Sequence, residues 1–239
     1  MNNLIKFQLR NIFRSKFFYI CLVLFIVQGP VLNYLAASLL KESGLTLTVI
    51  DSFTSTLYSE PSLVSIVFIV IFTCLEFNEG NTKNIISRGY SRKELLISKY
   101  VCSFIGLLVF YIATFITCLC LYIKDGMGGD SNTIILVVNY LFNIIMSVIV
   151  YCTLSFIVES LSISIVASLF GPSILGAILG YLGSYLKMNL SPYWFTNIVS
   201  RIEESPSISG LGTNILLYLL YIVLVIAIGI IITKKKEIK

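Results

Sequence analysis

The chain has 239 residues, of which 57% are hydrophobic and 12% are charged, whereas soluble domains carry about 25% charged residues. It contains no histidine, which excludes mechanisms that need imidazole as a base or as a metal ligand. Its six cysteines lie in apolar runs, so we interpret them as small hydrophobic residues and predict no catalytic or metal-binding site. The long apolar runs predict an all-α integral membrane protein with a single transmembrane domain over residues 1–239.

Residues 1–16 precede the first apolar run and place five apolar side chains near helical spacing among basic residues. These five are Leu4, Ile5, Leu9, Ile12 and Phe13. The pattern predicts an amphipathic helix that lies in the cytoplasmic membrane interface. A cleaved signal peptide is the alternative for the first span, although Ala36-Ala37-Ser38 matches a cleavage site only loosely.

Six spans follow, each close to the length of about 17–25 residues that a hydrocarbon core of about 30 Å requires. They are predicted at residues 17–40, 62–77, 98–123, 133–158, 162–186 and 211–232. The second span is short, and we expect either tilt or the polar segment after it to complete the crossing. Pro30 and the pair Gly171-Pro172 lie inside spans, where they are expected to bend or break the helices.

The distribution of Lys and Arg predicts the orientation of these spans. Thirteen of the 17 basic residues fall on one side: Lys6, Arg10, Arg14, Lys16, Lys83, Arg88, Arg92, Lys93, Lys99, Lys234, Lys235, Lys236 and Lys239. The opposite side has Lys41, Lys124, Lys187 and Arg201. We therefore predict a multi-pass protein of a bacterial cytoplasmic membrane with both termini in the cytoplasm. The net charge of +5 then reflects topology and contact with anionic lipids, with no nucleic-acid partner.

The segment between the second and third spans concentrates charge and helix-terminating signals. Four of its positions share one helical face: Thr82, Ile85, Ile86 and Gly89. Gly89 suits the left-handed position that ends a helix, and Ser91 with Glu94 forms a capping-box pattern that begins the third span. A solvated basic loop would explain the charges but neither the apolar face nor the paired stop and start signals. We predict a short surface helix that docks a cytoplasmic partner.

Two spans carry further candidate residues. The fourth span places Asn139, Asn143 and Ser147 on one stripe, where they are candidates for lining a translocation route. Hydrogen bonding between helices is the alternative for this stripe. The fifth span contains Gly176-x-x-x-Gly180, a small-residue spacing that lets helices approach closely.

The segment after the fifth span begins with Ser191 and Pro192, which are typical of the first positions of a helix. Five apolar residues that follow share one helical face: Trp194, Phe195, Ile198, Val199 and Ile202. We predict an extracellular interfacial or re-entrant helix, with an aromatic membrane-interface belt as the alternative.

The six-span layout, the amphipathic N-terminus and the charged loop resemble type-2 permease subunits of ATP-binding-cassette (ABC) exporters. The loop matches the family pattern Glu-x-x-x-Gly-x-Thr followed by Ser-x-Gly-x-Ser-Arg at Glu76, Gly80, Thr82, Ser87, Gly89, Ser91 and Arg92. Tyr90 departs from the family, which often has Pro at that position. In size the chain is similar to small six-span permeases that export toxic peptides or confer immunity to them.

The resemblance implies that the 78–94 loop carries a coupling helix seated in a cleft of a separate ATPase. Its implied coupling residues are Glu79, Thr82, Lys83, Ser87, Arg88, Gly89, Ser91 and Arg92. It also implies two ATPase subunits that bind ATP and magnesium, and a second permease chain in a homodimer or heterodimer. Because the first and fifth spans of such permeases meet across the dimer, Gly176 and Gly180 become candidate dimer contacts.

The resemblance further implies that this chain is not itself an enzyme and moves an amphiphilic substrate, best matched by a peptide toxin or antimicrobial peptide. The absence of a Gly-x-x-x-x-Gly-Lys-Ser/Thr phosphate loop agrees with a separate ATPase, and no cofactor is expected on this chain. Two alternatives stay open. One is a membrane sensor or immunity protein that transports nothing, and the other is an ion-coupled carrier, which needs ionisable groups inside the membrane.

Overall fold

The computed structural model describes residues 1–39, 48–59, 61–78, 81–129, 132–202 and 206–237. The side chains of Asn78, Asn81, Lys83, Asp125 and residues 234–237 are not described. These described residues form ten α-helices and no strand: α1 Asn2–Arg14, α2 Lys16–Ile26, α3 Leu32–Leu39, α4 Val49–Tyr58, α5 Leu63–Asn78, α6 Asn81–Ser87, α7 Arg92–Tyr122, α8 Thr133–Val158, α9 Leu161–Tyr185 and α10 Ile208–Glu237. The predicted all-α fold is confirmed.

Five helical segments in the described part of the chain are long and apolar enough to cross a membrane. They are Lys16–Leu39, Arg92–Tyr122, Thr133–Val158, Leu161–Tyr185 and Ile208–Thr233, so the chain is a multi-pass membrane protein. Their bounds lie close to five of the predicted spans, except that the third begins at Arg92 because its helix continues into the polar loop.

The predicted second span is α5, which has 16 residues and is about 24 Å long at about 1.5 Å per residue. It reaches the length of a full span only together with α4, and the two helices bend by 54°. The bent pair is either one broken span or a re-entrant loop, and completion of the crossing by tilt or by the polar segment stays a prediction. Six spans result if this bent pair crosses as one.

The two prolines within spans behave differently. Pro30 lies in a π-helical turn, Val27–Val31, that joins α2 to α3. A Cβ on Gly29 would lie 2.6 Å from the methyl carbon of Thr56, so α4 packs directly against this turn. In contrast, α9 continues as an α-helix through Pro172, where a bend or break was predicted.

Helix α8 lies at the centre of the bundle and packs against α5, α7, α9 and α10. The apolar core beside it includes aromatic rings from three helices. The ring of Phe110 lies 5.2 Å from that of Phe18 and 5.0 Å from that of Phe68. Aromatic pairs at such separations add to the stabilisation that burial provides. Helices α2, α9 and α10 leave large apolar faces exposed, as lipid-facing helices do.

The predicted amphipathic N-terminal helix is present as α1. Its buried face consists of Leu4, Gln8 and Ile12, and the helix packs against α7. Ser15, in extended conformation, separates α1 from α2. The amphipathic pattern therefore serves contact with the bundle, and the location in a membrane interface stays a prediction.

The segment between α9 and α10 does not form the predicted helix. It contains two 3₁₀ turns, Ser191–Tyr193 and Val199–Ile202, and Leu190 rather than Ser191 caps the first. Four of the five predicted apolar residues are buried: Phe195, Ile198, Val199 and Ile202. The predicted apolar face is thus correct, but packing against α8 and α10 holds it as turns.

Candidate functional site

The most distinctive polar region of the chain surrounds α6, between the end of α5 and the start of α7. Gly89 follows α6 with a φ of 88°, a left-handed conformation that glycine adopts without strain. Its amide donates to the carbonyl of Ile86 at 2.9 Å. The Glu94 amide donates to Ser91 Oγ at 3.2 Å, and the Ser91 amide donates to the Glu94 carboxylate at 2.9 Å. The predicted stop and start signals are both confirmed.

One face of α6 is buried against its neighbours. Thr82 and Ile85 are each 6% exposed. Ile85 belongs to a cluster with Leu4 of α1, Leu95 and Leu96 of α7 and Phe156 of α8. Tyr90, the position at which the resembling permeases often have Pro, packs against the same cluster. Ile86 was predicted on this face but is 37% exposed, so it points away from the cluster.

The predicted coupling residues lie in different environments. Glu79 lies outside the described residues, as does the side chain of Lys83. Ser87, Arg88 and Gly89 are exposed at the C-terminal end of α6. Thr82 is buried, and Ser91 is occupied by its cap with Glu94. Only part of the predicted set is therefore available to a partner.

Arg92 forms an ion pair within the chain. One of its guanidinium nitrogens lies 3.0 Å from a carboxylate oxygen of Glu159, and both side chains are partly exposed. Glu159 ends α8 with a φ of 59° in the turn before α9. The ion pair therefore joins the first residue of α7 to the α8–α9 turn. The sequence pattern singled out Arg92 but did not reveal this partner.

A second ion pair is almost completely buried. The Lys99 ammonium lies 3.3 Å from the Glu76 carboxylate, and their side chains are 1% and 7% exposed. Gln8 Nε2 donates to Glu76 at 2.6 Å, and the Lys99 ammonium donates to the Phe72 carbonyl at 2.9 Å. The same ammonium lies 3.9 Å from the centroid of the Phe72 ring. We call Gln8, Glu76 and Lys99 the buried polar cluster.

The buried polar cluster was missed in the sequence, which indicated Lys99 as a charge on the cytoplasmic side and Glu76 as part of a loop pattern. The cluster joins α1, α5 and α7 at the height of α6. Loss of one partner from a buried ion pair destabilises a protein by about 3–5 kcal/mol, because the remaining charge is left without compensation. The cluster therefore connects α1, α5 and α7 beside α6.

A cavity of about 490 Å³ opens beside this cluster, between α1, α2, α5 and α6. All three residues of the buried polar cluster line it. Arg14 and Arg88 also line it, and both are exposed. Aromatic and aliphatic side chains form most of the remaining walls, together with Asn11, Ser15 and Asn84.

The Asn139 stripe of α8 is buried within the chain. Asn139 Nδ2 donates to the Val199 carbonyl at 3.2 Å, and Asn214 Nδ2 donates to Asn139 Oδ1 at 3.2 Å. Asn143 and Ser147 are 1% and 4% exposed. The bond from Asn214 of α10 is a hydrogen bond between helices, as the alternative for this stripe proposed, and a translocation route along it stays a prediction.

The two candidate dimer glycines differ. A Cβ on Gly176 would lie 3.0 Å from Cδ1 of Trp194, whose Nε1 donates to the Pro172 carbonyl at 3.0 Å. Gly176 therefore accommodates the indole within the same chain. A Cβ on Gly180 would meet nothing within 4 Å, so Gly180 is the better candidate for contact with a second chain.

Five of the six cysteines are buried, as their apolar surroundings predicted, whereas Cys120 is exposed.

Comparison with known proteins places the chain in one family. Residues 17–239 match a family described as "Protein of unknown function (DUF2705)". No curated protein and no solved structure matches the chain.

Proposed function

Since the chain belongs to the DUF2705 family, whose description names no activity, we propose a function from its site: the membrane-spanning permease subunit of an ABC exporter. The chain would act with a second permease chain and two ATPase subunits that bind ATP and magnesium. Its substrate would be an amphiphile such as a peptide toxin. The complex would lie in a bacterial cytoplasmic membrane with both termini of the chain in the cytoplasm.

The observation that carries this proposal is α6, a seven-residue surface helix held between α5 and a spanning helix, α7. Gly89 and the Ser91–Glu94 capping box define its end and the start of α7. Ile85 packs it on α1, α7 and α8, while Ile86 and Ser87 remain exposed. A short helix with one buried and one exposed face is suited to docking a partner.

The contacts beneath α6 can pass a displacement to the spanning helices. A movement of α6 would act on Leu95 and Leu96 of α7 through Ile85. The Glu76–Lys99 ion pair links the same part of α7 to the end of α5, and Gln8 adds α1. Packed elements of this kind move as rigid bodies because interiors resist continuous deformation. The proposed ATPase would thereby change the relation between spans.

The structure sharpens the choice of docking residues. Arg92 pairs with Glu159, so reversal of its charge would disturb the chain itself as well as any partner. Ile86 and Ser87 are exposed. Among the described residues, the hydrogen bond of the Ser87 hydroxyl goes to the Asn84 carbonyl within α6 itself. These two residues therefore test docking with less risk to the fold.

The test uses the chain co-expressed with candidate ABC ATPase subunits from its own genome and reconstituted in vesicles. We expect Ile86→Asp with Ser87→Asp to abolish peptide-stimulated ATP hydrolysis while the chain still inserts and purifies. Met127→Asp, at an exposed position after α7, is the matched control and should leave stimulation intact. Wild-type stimulation in the double variant would contradict the docking role of α6. Unstimulated hydrolysis by every form would favour the sensor alternative.

The buried polar cluster supports an ion-coupled carrier as the second candidate. Such carriers hold ionisable groups away from water, as Glu76 and Lys99 are held here. The two candidates separate in vesicles that lack ATP. A pH gradient should drive substrate movement through a carrier, and Glu76→Gln should abolish it, whereas the proposed permease should move nothing under these conditions.

A further inference from the structure

The cavity beside the buried polar cluster has a volume of about 490 Å³, within the range of about 300–1,000 Å³ typical of ligand pockets. It lies where α1 meets α2 and where α5 approaches its end, next to α6. Apolar spanning segments begin or end at these positions. The cavity is therefore placed at the level where lipid headgroups meet hydrocarbon.

The charges around the cavity favour an anion. Arg14 is the last residue of α1 and Arg88 directly follows α6, and neither forms an ion pair with any residue that the structure describes. Lys99 also lines the cavity but is compensated by Glu76. Two uncompensated guanidinium groups remain. Guanidinium groups bind phosphate oxygens through paired, charge-assisted hydrogen bonds.

One residue that lines the cavity also has a buried hydrogen-bond acceptor without a described donor. Gln8 is completely buried and lines the cavity. Its Nε2 donates to Glu76, but its Oε1 has no hydrogen-bond partner among the described residues. A buried acceptor without a donor is unfavourable, so a hydroxyl group in the cavity would stabilise it.

Most of the remaining cavity wall is apolar, although Asn11, Ser15 and Asn84 also line it. Phe7 and Leu75 are 45% and 39% exposed, and Phe17 and Ile71 are half-buried beside them. Exposed aromatic and aliphatic side chains next to two arginines form an amphipathic surface. That combination fits a molecule with an anionic head and a hydrocarbon chain.

We propose that this cavity binds an anionic phospholipid with a hydroxyl-bearing headgroup, for which phosphatidylglycerol is the probe. The phosphate lies between Arg14 and Arg88, a headgroup hydroxyl donates to Gln8 Oε1, and an acyl chain follows Phe17 and Leu75. The inference does not rest on the proposed transport function. It predicts a specific lipid site in the chain alone.

The main experiment is native mass spectrometry of the purified full chain in detergent, titrated with phosphatidylglycerol or with phosphatidylcholine of the same acyl chains. We expect the first phosphatidylglycerol to bind about tenfold more tightly. Both lipids carry a phosphate monoanion, but the quaternary ammonium of phosphatidylcholine repels the two arginines and cannot donate to Gln8 Oε1. Arg14→Gln with Arg88→Gln should remove this preference. Equal affinity of the wild-type chain for both lipids would overturn the proposal.

The matched control is Lys6→Gln with Arg10→Gln, which removes the same charge from exposed positions of α1 outside the cavity. It should retain the preference. Equal losses in both double variants would indicate general electrostatic attraction to anionic lipid and would overturn a defined site.

Two further measurements test the remaining contacts. Phosphatidylmethanol keeps the charge but lacks the glycerol hydroxyls, and it should bind more weakly than phosphatidylglycerol; equal binding would overturn the role of Gln8. Leu75→Trp should weaken binding by crowding the apolar wall while both arginines stay in place. Full competition by glycerol 1-phosphate at the concentration of the lipid would show a headgroup site alone and would overturn the lipid proposal.

Discussion

The two ends of the helical bundle hold their loops in different ways. One end of the bundle carries α6, and we call it the α6 corner. There, two ion pairs and a buried amide join helices: Glu76–Lys99, Arg92–Glu159 and Gln8. At the other end, the 191–202 segment is held by neutral amides and aromatic rings, through Asn139, Asn214 and Trp194. Ion pairs thus lie where the chain is proposed to meet the cytoplasm, whereas the opposite end is held by neutral contacts and by the Arg201 guanidinium over the Tyr193 ring.

The difference teaches where the structure is most sensitive to substitution. A buried charge that loses its partner keeps its full desolvation penalty, whereas a neutral amide leaves a smaller one. The buried Glu76–Lys99 pair should therefore tolerate loss of one charge poorly and loss of both charges well. Single substitutions in the 191–202 segment should lower the free energy of unfolding by a smaller amount.

The largest contrast expected is accessibility from outside the cell. In a cysteine-free background, Met127→Cys should react with an impermeant maleimide in intact cells, whereas Ser87→Cys should react only after permeabilisation. Both positions are exposed in the structure, so burial does not decide the result. The reverse pattern would place the α6 corner outside and would contradict the predicted orientation.

Removal of one charge from the buried ion pair should have the largest energetic effect. We expect Lys99→Met to destabilise the chain by about 3–5 kcal/mol because Glu76 stays buried without its cation. Thermal unfolding in detergent measures the change. Adding Glu76→Gln should restore most of the stability, since the amide carbonyl can still accept from Gln8. A double variant less stable than Lys99→Met would contradict this account.

Loss of the amide at the opposite end should have a smaller effect. Asn214→Leu removes donors to Asn139 Oδ1 and to the Ile198 carbonyl, at 3.2 and 2.8 Å. We expect a loss of about 1–3 kcal/mol, the penalty for buried polar groups left unpaired. Thr213→Leu, an exposed neighbour on α10, is the control. A loss as large as that of Lys99→Met would erase the contrast between the two ends.

The two glycines of α9 should separate contact within the chain from contact between chains. Gly176→Leu should displace the sole tryptophan, Trp194, at about 1–3 kcal/mol for overpacking, and shift its fluorescence. Gly180→Leu should leave the fluorescence unchanged and weaken self-association in detergent. An unchanged dimer in Gly180→Leu would remove the predicted dimer contact.

The smallest effect is expected at the partly exposed ion pair. Arg92→Glu should destabilise the chain by about 1 kcal/mol or less, because its partner Glu159 remains accessible to water. Arg92→Glu with Glu159→Arg should restore stability by reversing the pair. If the swapped pair still fails to bind the ATPase, Arg92 has a docking role of its own.

The double variant Arg88→Glu with Arg92→Glu tests docking through both arginines. It should lose ATPase binding, and normal binding by this variant would reject a docking role of the arginines.

Local patterns explain why several elements could be predicted. Gly89 and the Ser91–Glu94 capping box act over three or four residues, and the structure shows both. The apolar faces of α1 and α6 likewise follow helical periodicity. Prediction was weaker between α9 and α10, because the same apolar residues can face the core from a helix or from 3₁₀ turns.

The sequence by itself determined the apolar spans, the helix stop and start signals around α6, and the class of membrane protein. These features depend on composition and on neighbours along the chain. Only the tertiary structure decided that Lys99 is compensated by Glu76, that Arg92 meets Glu159 and that Gly176 lies under Trp194. These pairs depend on which helices pack together. Local periodicity carries no information about that choice, because many helix arrangements bury the same apolar faces equally well.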